Sequence, residues 1–188
     1  MARPRQFIQE EALDAAVGVF SENGYAGTSA EMLTAAMQIG KQSLYNTFGG
    51  KWPLYCAALE RYAAGETASH LAALQSGSTA LAGVEKMMKR VVGEARNPCL
   101  GVGSVNEFGA GNEDLAKIRG PAGQSLRAAL VARIREAQAV GDMSADLVSD
   151  HAACFLLANV AAIRIAARGG AGDAELRALG RLSVQALK

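Results

Sequence analysis

The sequence contains 188 residues, of which 50% are hydrophobic and only 5% aromatic, and its formal net charge is +1. This length allows one large domain or two small ones with a substantial core, and the small net charge indicates no class of partner. The three cysteines contain no C-x-x-C pair, which argues against a disulfide framework and a zinc site. Abundant alanine and leucine without strand-like alternation predict an all-α fold.

The chain shows no pattern of a secreted or membrane-spanning protein. Met1–Gln6 leads directly into an amphipathic helix with acidic residues, unlike a signal peptide. The longest apolar run, 152–167, is shorter than a bilayer span and is interrupted by Asn159 and Arg164. We therefore expect a cytoplasmic protein with no membrane partner.

The first predicted element is a helix from Phe7 to Asn23, preceded by an arm over residues 1–6. Gly24 follows the helix, and glycine is the usual residue with left-handed backbone at a helix end. The arm is either a disordered tail or a segment whose Arg3 and Arg5 reach phosphate or the minor groove of DNA.

The next stretch, 28–51, predicts two short helices joined by a tight turn. Thr28 and Glu31 have the spacing of a capping box, which predicts a helix starting near Ser29. Residues 38–40 form the turn, and a helix of about seven residues begins at Lys41.

The second short helix has one packing face and one polar face. Successive side chains turn by about 100 degrees, which places Leu44 and Phe48 on the inner face. The outer face offers amides, hydroxyls, a phenol and a cation without any carboxylate, from Lys41, Gln42, Ser43, Tyr45, Asn46 and Thr47. Amides pair with the adenine edge in the major groove, and lysine and tyrosine contact phosphate. We predict base contacts for Gln42 and Asn46, and a phosphate contact for Lys51.

Several features occur together at the spacing of a known family. They are Phe20, Gly24-Tyr25, Thr28, the helix-turn-helix, Leu44-Tyr45-x-x-Phe48 and Lys51. This constellation resembles the N-terminal DNA-binding domain of the TetR family of transcriptional regulators. The resemblance implies a three-helix DNA-binding domain over residues 1–50, with Thr28 among its DNA contacts. It also implies a helical effector-binding and dimerisation domain over residues 51–188, linked to the first by the fourth helix.

The remaining sequence predicts five further helices after the fourth, which extends to about Gln75. They cover 81–94, a short element beginning near Cys99, then 113–140, 146–168 and 174–187. Gly120-Pro121 and Gly123 are expected to kink or divide the third of these.

The predicted effector pocket draws on residues of several helices: Tyr62, Met87, Met88, Cys99 and Phe108. Methionines at helical spacing are typical of gap-filling core, but they also suit an adaptable apolar pocket. Cys99-Leu100-x-Val102 with Glu107-Phe108 resembles one branch of the family, in which some members sense electrophiles or oxidants through a cysteine here. The alternative for Cys99 is a small buried apolar residue.

The helix over 146–168 is apolar around more than one face, which predicts a second buried surface. The predicted dimer interface consists of Phe155, Leu156, Asn159 and Ile163. The family resemblance implies that this helix and the last one form a four-helix bundle with a second copy. The alternative is a core within one chain.

These observations predict a homodimeric, sequence-specific regulator that acts as a repressor on double-stranded operator DNA. A small-molecule or electrophile effector is expected to release it. We expect no catalytic residues, cofactor or metal, since His70 and His151 lack a second ligand at helical spacing. Two alternatives remain: an all-α enzyme using Cys99 with a histidine or Glu107, and a helical protein-interaction module without specific DNA binding.

Overall fold

The computed structural model describes residues 3–188, with the backbone alone for residues 3–8, and this part of the chain contains helices and no strands. The helices are α1 Arg3–Asn23, α2 Ala30–Met37, α3 Lys41–Phe48, α4 Lys51–Gln75, α5 Ala80–Gly93, α6 Leu100–Phe108, α7 Glu113–Ala139, α8 Ser149–Arg168 and α9 Asp173–Gln185. The predicted all-α fold is confirmed.

Two predicted boundaries differ from the structure. Helix α1 begins at Arg3, so the predicted arm is helical from Arg3 onward, while Met1 and Ala2 lie outside the described residues. Helix α7 continues through Pro121 rather than dividing there. A proline removes only one helical hydrogen bond, and buried side chains anchor α7 on both sides of it, Leu115 before and Leu126 after.

The chain divides into two compact units. The amino-terminal unit contains the chain up to Gly65 together with Pro98–Gly120, and the carboxy-terminal unit contains Glu66–Asn97 with Pro121–Lys188. Helices α4 and α7 therefore each contribute to both units. The predicted functional division at residue 50 stays a prediction.

The core of the amino-terminal unit joins α1, α2, α3 and α4. Phe20, Leu33 and Leu44 are at most 1% exposed, and Tyr55 of α4 packs edge-on against Phe20 with ring centroids 5.0 Å apart. Four aromatic rings form a connected cluster with centroid separations of 5.3 to 5.8 Å: Tyr25, Trp52, Tyr55 and Phe108. Isolated helices as short as α2 and α3 are unstable in water, so they depend on packing against this core.

The core of the carboxy-terminal unit lies among α5, α7, α8 and α9. Met87 and Met88 are buried there, as are Leu156 and Ile163 of α8. Helix α9 approaches α5 closely at Gly180, where an added Cβ would lie 2.6 Å from Cγ2 of Val92. A larger residue at position 180 would require the Val92 side chain to shift.

Helix α8, Ser149–Arg168, is the one helix among the described residues that is long and apolar enough to cross a membrane, with a mean hydropathy of 1.3. The helix extends beyond the apolar run of residues 152–167 on both sides, which gives it this length. The same length and composition also suit a core helix. Helix α8 packs against α5 and α9, and its buried Arg164 forms an ion pair with Glu66.

Glu66 is the centre of an ion cluster in the carboxy-terminal unit. Its carboxylate accepts hydrogen bonds from Arg90 and from Arg164, whose side chain is 4% exposed. Arg90 also donates to Nδ1 of His70 at 3.1 Å, so this nitrogen carries no proton. Burial lowers the pKa of His70 to about 4, and the two arginines act in the same direction against the opposite effect of Glu66.

The free energy of unfolding of the wild type should fall as the pH is lowered from 6.5 to about 4. We expect His70→Gln to abolish most of this fall. In this interval the unfolded chain protonates His70 and the folded chain does not, so the free energy of unfolding falls as the pH falls. The difference in pKa corresponds to about 3 kcal/mol. Urea unfolding at a series of pH values measures it, with His151→Gln as the control because His151 is exposed. Equal pH profiles for wild type and His70→Gln would contradict the assignment.

Candidate functional site

Local signals position the two short helices of the amino-terminal unit. Ser29 caps α2, and its hydroxyl accepts a hydrogen bond from the Met32 backbone at 3.2 Å. Gln38 ends α2 with a left-handed backbone at φ 53, and its N–H and that of Ile39 donate to carbonyls of α2. Helix α3 follows after Gly40. The predicted helix-turn-helix is therefore confirmed as local structure.

The predicted capping box was wrong by one residue. Thr28 is 2% exposed, and its hydroxyl donates to the Gly24 carbonyl at 2.6 Å, which closes the loop after α1. Ser29 occupies the capping position instead, since its hydroxyl lies outside the core and is free to bond the first turn. A DNA contact by Thr28 stays a prediction, and in the free protein its hydroxyl is used within the loop.

Helix α3 has the predicted division into an inner and an outer face. Leu44 is 1% exposed and belongs to the core of the amino-terminal unit, and Phe48 is half-buried against it. The exposed side chains are those predicted for DNA contact: Lys41, Gln42, Ser43, Tyr45, Asn46 and Thr47. This surface contains hydrogen-bonding groups and no carboxylate.

The two amides predicted to contact bases hydrogen bond to each other. Nε2 of Gln42 donates to Oδ1 of Asn46 at 2.9 Å, one helical turn away. Oε1 of Gln42 and Nδ2 of Asn46 have no hydrogen bond to another described residue. The pair therefore presents one acceptor and one donor, which are the groups that recognise N6–H and N7 of adenine.

The two lysines at this surface have different surroundings. Nζ of Lys41 lies 3.7 Å from Oε1 of Glu31, and both side chains are largely exposed. Such a pair contributes little, so phosphate can replace the carboxylate. Nζ of Lys51 lies 4.3 Å from the centre of the Tyr25 ring, a cation–π contact that holds it near the start of α4.

Glu107 of α6 holds the loop between α1 and α2. Its carboxylate accepts hydrogen bonds from the backbone N–H groups of Tyr25 and Ala26, at 2.8 and 2.6 Å. In the sequence analysis, Glu107 belongs to a segment that resembles one branch of the family and is a candidate catalytic partner of Cys99. Its hydrogen bonds to the loop after α1 were not predicted. The sequence shows that the loop between α1 and α2 has backbone N–H groups that need acceptors. It does not show which distant residue supplies the acceptor.

The predicted effector residues fall in both compact units. Cys99 is 8% exposed, and its Sγ accepts the Val102 N–H at 3.4 Å at the start of α6. Tyr62 lies nearby, since a Cβ added to Gly101 would be 3.6 Å from the Tyr62 ring and 3.8 Å from Cys99 Sγ. Phe108 belongs to the aromatic cluster of the same unit. Met87 and Met88 instead pack in the core of the carboxy-terminal unit. An effector role for these five residues stays a prediction.

The predicted dimer residues lie on two different faces of α8. Phe155 is 42% exposed, and with Asn159 it lines a shallow surface groove of about 390 Å³ together with Leu179 and Leu182 of α9. Leu156 and Ile163 are fully buried inside the chain's own core, so their assignment to a dimer surface was wrong. The apolar pattern of α8 reflects both an inner and an outer face, and the prediction did not separate them. Leu182 of α9, which the sequence analysis did not name, is also exposed, at 59%.

No group of three or more histidine, cysteine, aspartate or glutamate side chains among the described residues is arranged to hold a metal ion. His151 is exposed, and His70 is engaged in the ion cluster with Arg90.

Comparisons with known proteins match the helix-turn-helix and the overall fold. Residues 12–58 match the family described as bacterial regulatory proteins, tetR family. The uncharacterized HTH-type transcriptional regulator YezE of Bacillus subtilis is 32% identical over 98 residues, which are 52% of this chain and 50% of YezE. The HTH-type transcriptional repressor BdcR of Escherichia coli is 37% identical over 60 residues, which are 32% of this chain and 30% of BdcR. The chain thus aligns with half or less of the length of these curated relatives.

A solved structure extends the similarity along the whole chain. It is a cysteine mutant of the TetR family transcriptional regulator CifR complexed with 26-base-pair double-strand operator DNA. It is 26% identical, has a TM-score of 0.78, and the match covers 98% of this chain and 99% of that one. The local helix-turn-helix geometry, the family match and this full-length similarity lead to one conclusion: residues 12–58 form a DNA-binding region of the tetR family type, and the whole chain is similar in fold to a TetR family transcriptional regulator.

Proposed function

We propose that this protein is a homodimeric, sequence-specific DNA-binding transcriptional regulator that represses its target genes. The observation that carries the proposal is the exposed, carboxylate-free face of α3 with its Gln42–Asn46 amide pair. The operator complex of CifR and the repressor BdcR support it through similarity. As in the family, its action is regulatory rather than catalytic, and we place it in the cytoplasm.

The proposed dimer uses the outer faces of α8 and α9. Phe155, Ile165 and Leu182 are each more than two-fifths exposed, although they are large apolar side chains. A second copy would bury them, which is favourable by about 25 cal/mol for each Å² of apolar surface. To read successive major grooves of a near-palindromic operator, such a dimer would hold its two copies of α3 roughly 34 to 36 Å apart.

The proposed release from DNA requires an effector that prefers a state unable to bind DNA. To move the population from 99:1 to 1:99, it must bind that state better by about 5.5 kcal/mol. We propose Tyr62 and Cys99, which flank Gly101 of α6, as part of the effector site. An electrophile would react at Cys99.

We expect Gln42→Ala and Asn46→Ala each to weaken binding to the operator by about 1 to 3 kcal/mol and to relax preference at one base pair. Because the two amides are bonded to each other, the double variant should lose less than the sum of the single losses. Fluorescence anisotropy at fixed salt measures this with duplex DNA from beside the gene and with scrambled duplex.

Asn106→Ala is the matched control for these variants, because this asparagine is exposed on α6 and is not part of the α3 surface. It should bind both duplexes as the wild type does. Equal, salt-sensitive binding of the wild type to native and scrambled duplex would contradict specific recognition of that DNA. No binding even at low salt would contradict DNA binding and favour a protein-interaction module.

A further inference from the structure

A groove runs between α5 and α9 in the carboxy-terminal unit. Its volume is about 610 Å³, within the range of small-molecule binding sites. Met88 and Val92 of α5 and Val184 of α9 form an apolar floor, and the close approach of the two helices at Gly180 limits its depth. Of the residues predicted for the effector site, only Met88 lines this groove.

The rim of the groove is positively charged. Lys89 of α5 and Arg177 and Arg181 of α9 line it, and all three are exposed. Arg177 and Arg181 are one helical turn apart, so their guanidinium groups project from the same side of α9. Three cations therefore surround an apolar surface.

The carboxylates near the rim have other partners. Glu85, one turn before Lys89, forms an ion pair with Lys188 at 3.2 Å. Asp173, one turn before Arg177, forms an ion pair with Arg96 at 2.7 Å. The hydrogen bond from Arg96 is the main cause that lowers the pKa of Asp173, and the charge of Arg177 is the weakest one. Among the residues whose side chains the structure describes, Lys89, Arg177 and Arg181 thus have no ion-pair partner. Glu85 is the one carboxylate side chain among the residues that line the groove, so the lining keeps a net positive charge.

From this arrangement we infer that the α5–α9 groove binds an amphipathic anion, a small molecule with an aliphatic or aromatic body and one carboxylate or sulfonate. The body packs against the partly exposed Val92 and the aliphatic stems of the rim side chains, above the buried Met88 and Val184. The anionic head accepts charge-assisted hydrogen bonds from Arg177 or Arg181. An uncharged apolar ligand would form no charge-assisted hydrogen bonds with the rim, and an inorganic anion would make no apolar contact with the floor. This site is separate from the α3 surface and does not depend on DNA binding.

Isothermal titration calorimetry of the full-length protein with decanoate, below its micelle-forming concentration and without DNA, tests the inference. We expect saturable binding of decanoate, and at least about ten-fold weaker binding of decanol and of acetate, since each lacks one of the two interactions. Equal affinity for decanoate and decanol, or for decanoate and acetate, would overturn the inference. The absence of saturable decanoate binding would also overturn it, whatever the outcome of the DNA experiment.

A double variant, Lys89→Gln with Arg181→Gln, locates the site. Both side chains are exposed, so the fold should be unaffected. We expect decanoate affinity to fall at least about ten-fold with little change for decanol. The control is Lys117→Gln with Arg168→Gln, which removes the same charge from exposed positions outside the groove. An equal loss in both double variants would indicate a nonspecific charge effect and contradict the site.

Discussion

We expect Glu107→Ala to lower the free energy of unfolding by about 1 to 3 kcal/mol and to weaken binding to every DNA sequence alike. The carboxylate of Glu107 accepts two backbone hydrogen bonds from the loop between α1 and α2. Hydrogen bonds to a charged group are worth about 1.5 to 3 kcal/mol each, but this site is exposed and water can replace part of that stabilisation. Loosening the loop disturbs the position of α2 and α3 rather than any single base contact.

Urea unfolding and DNA anisotropy measure the two effects of the Glu107 variant. Glu60→Ala is the matched control, since Glu60 is also exposed in the amino-terminal unit and forms no hydrogen bond or ion pair among the described residues. Glu107→Gln should be intermediate, because its amide keeps one acceptor and loses the other. If Glu107→Ala unfolds and binds DNA as Glu60→Ala does, the two bonds have no role in positioning the helix-turn-helix.

The local geometry of the helix-turn-helix was predictable because its signals lie within a few residues of one another. Gly24 ends α1 with φ +69, a backbone conformation that glycine adopts without strain. Residues 38–40 separate α2 from α3 as predicted, and the spacing of Leu44 and Phe48 defines the inner face of α3. Each of these features follows from helix periodicity and backbone preference.

The choice between Thr28 and Ser29 as the cap could not be made from spacing. Both are hydroxyl residues that can cap a helix, and Glu31 at the third position after Thr28 favoured the first. The structure uses Thr28 to close the loop through the Gly24 carbonyl, where its side chain is buried. Tertiary packing decides between two equivalent local signals.

Long-range contacts were beyond the reach of the sequence for a similar reason. Glu107 is 81 residues from Ala26, and no pattern in either segment identifies the other. Helix α8 is apolar around most of its circumference, so periodicity alone could not assign Leu156 to the inner face and Phe155 to the outer face. The packing of α5 and α9 makes that assignment.

The ion cluster at Glu66 leads to the second large expected effect. We expect Glu66→Ala to lower the free energy of unfolding by about 3 to 5 kcal/mol at neutral pH, because it removes the carboxylate from the buried Arg164. Glu94→Ala is the matched control: Glu94 also pairs with Arg90 but is 38% exposed, so its loss should cost less than about 1 kcal/mol. Urea unfolding measures both losses. If Glu66→Ala and Glu94→Ala lower the free energy of unfolding equally, burial of Arg164 is not the reason for the effect of Glu66.

The pH dependence provides an independent check on Glu66. Burial raises the pKa of its carboxyl group, but the hydrogen bond from Arg90 and the charges of both arginines more than offset this and hold the pKa below 4.5. The stabilisation is therefore present above pH 4.5 and is lost as the pH falls through the lower value in the folded state. The difference between wild type and Glu66→Gln should narrow on acidification below pH 4.5. A constant difference would mean that Glu66 stabilises the fold by packing rather than by its charge.

Replacing both members of the buried pair separates the value of the ion pair from the penalty of a buried charge. A buried ion pair contributes little beyond an apolar pair of similar size, whereas a single buried charge is costly. We therefore expect Glu66→Leu combined with Arg164→Met to be more stable than Glu66→Ala, although it lacks both charges. If the double variant is the less stable of the two, the ion pair itself makes a large net contribution, and Arg164 is held by more than its electrostatic partner.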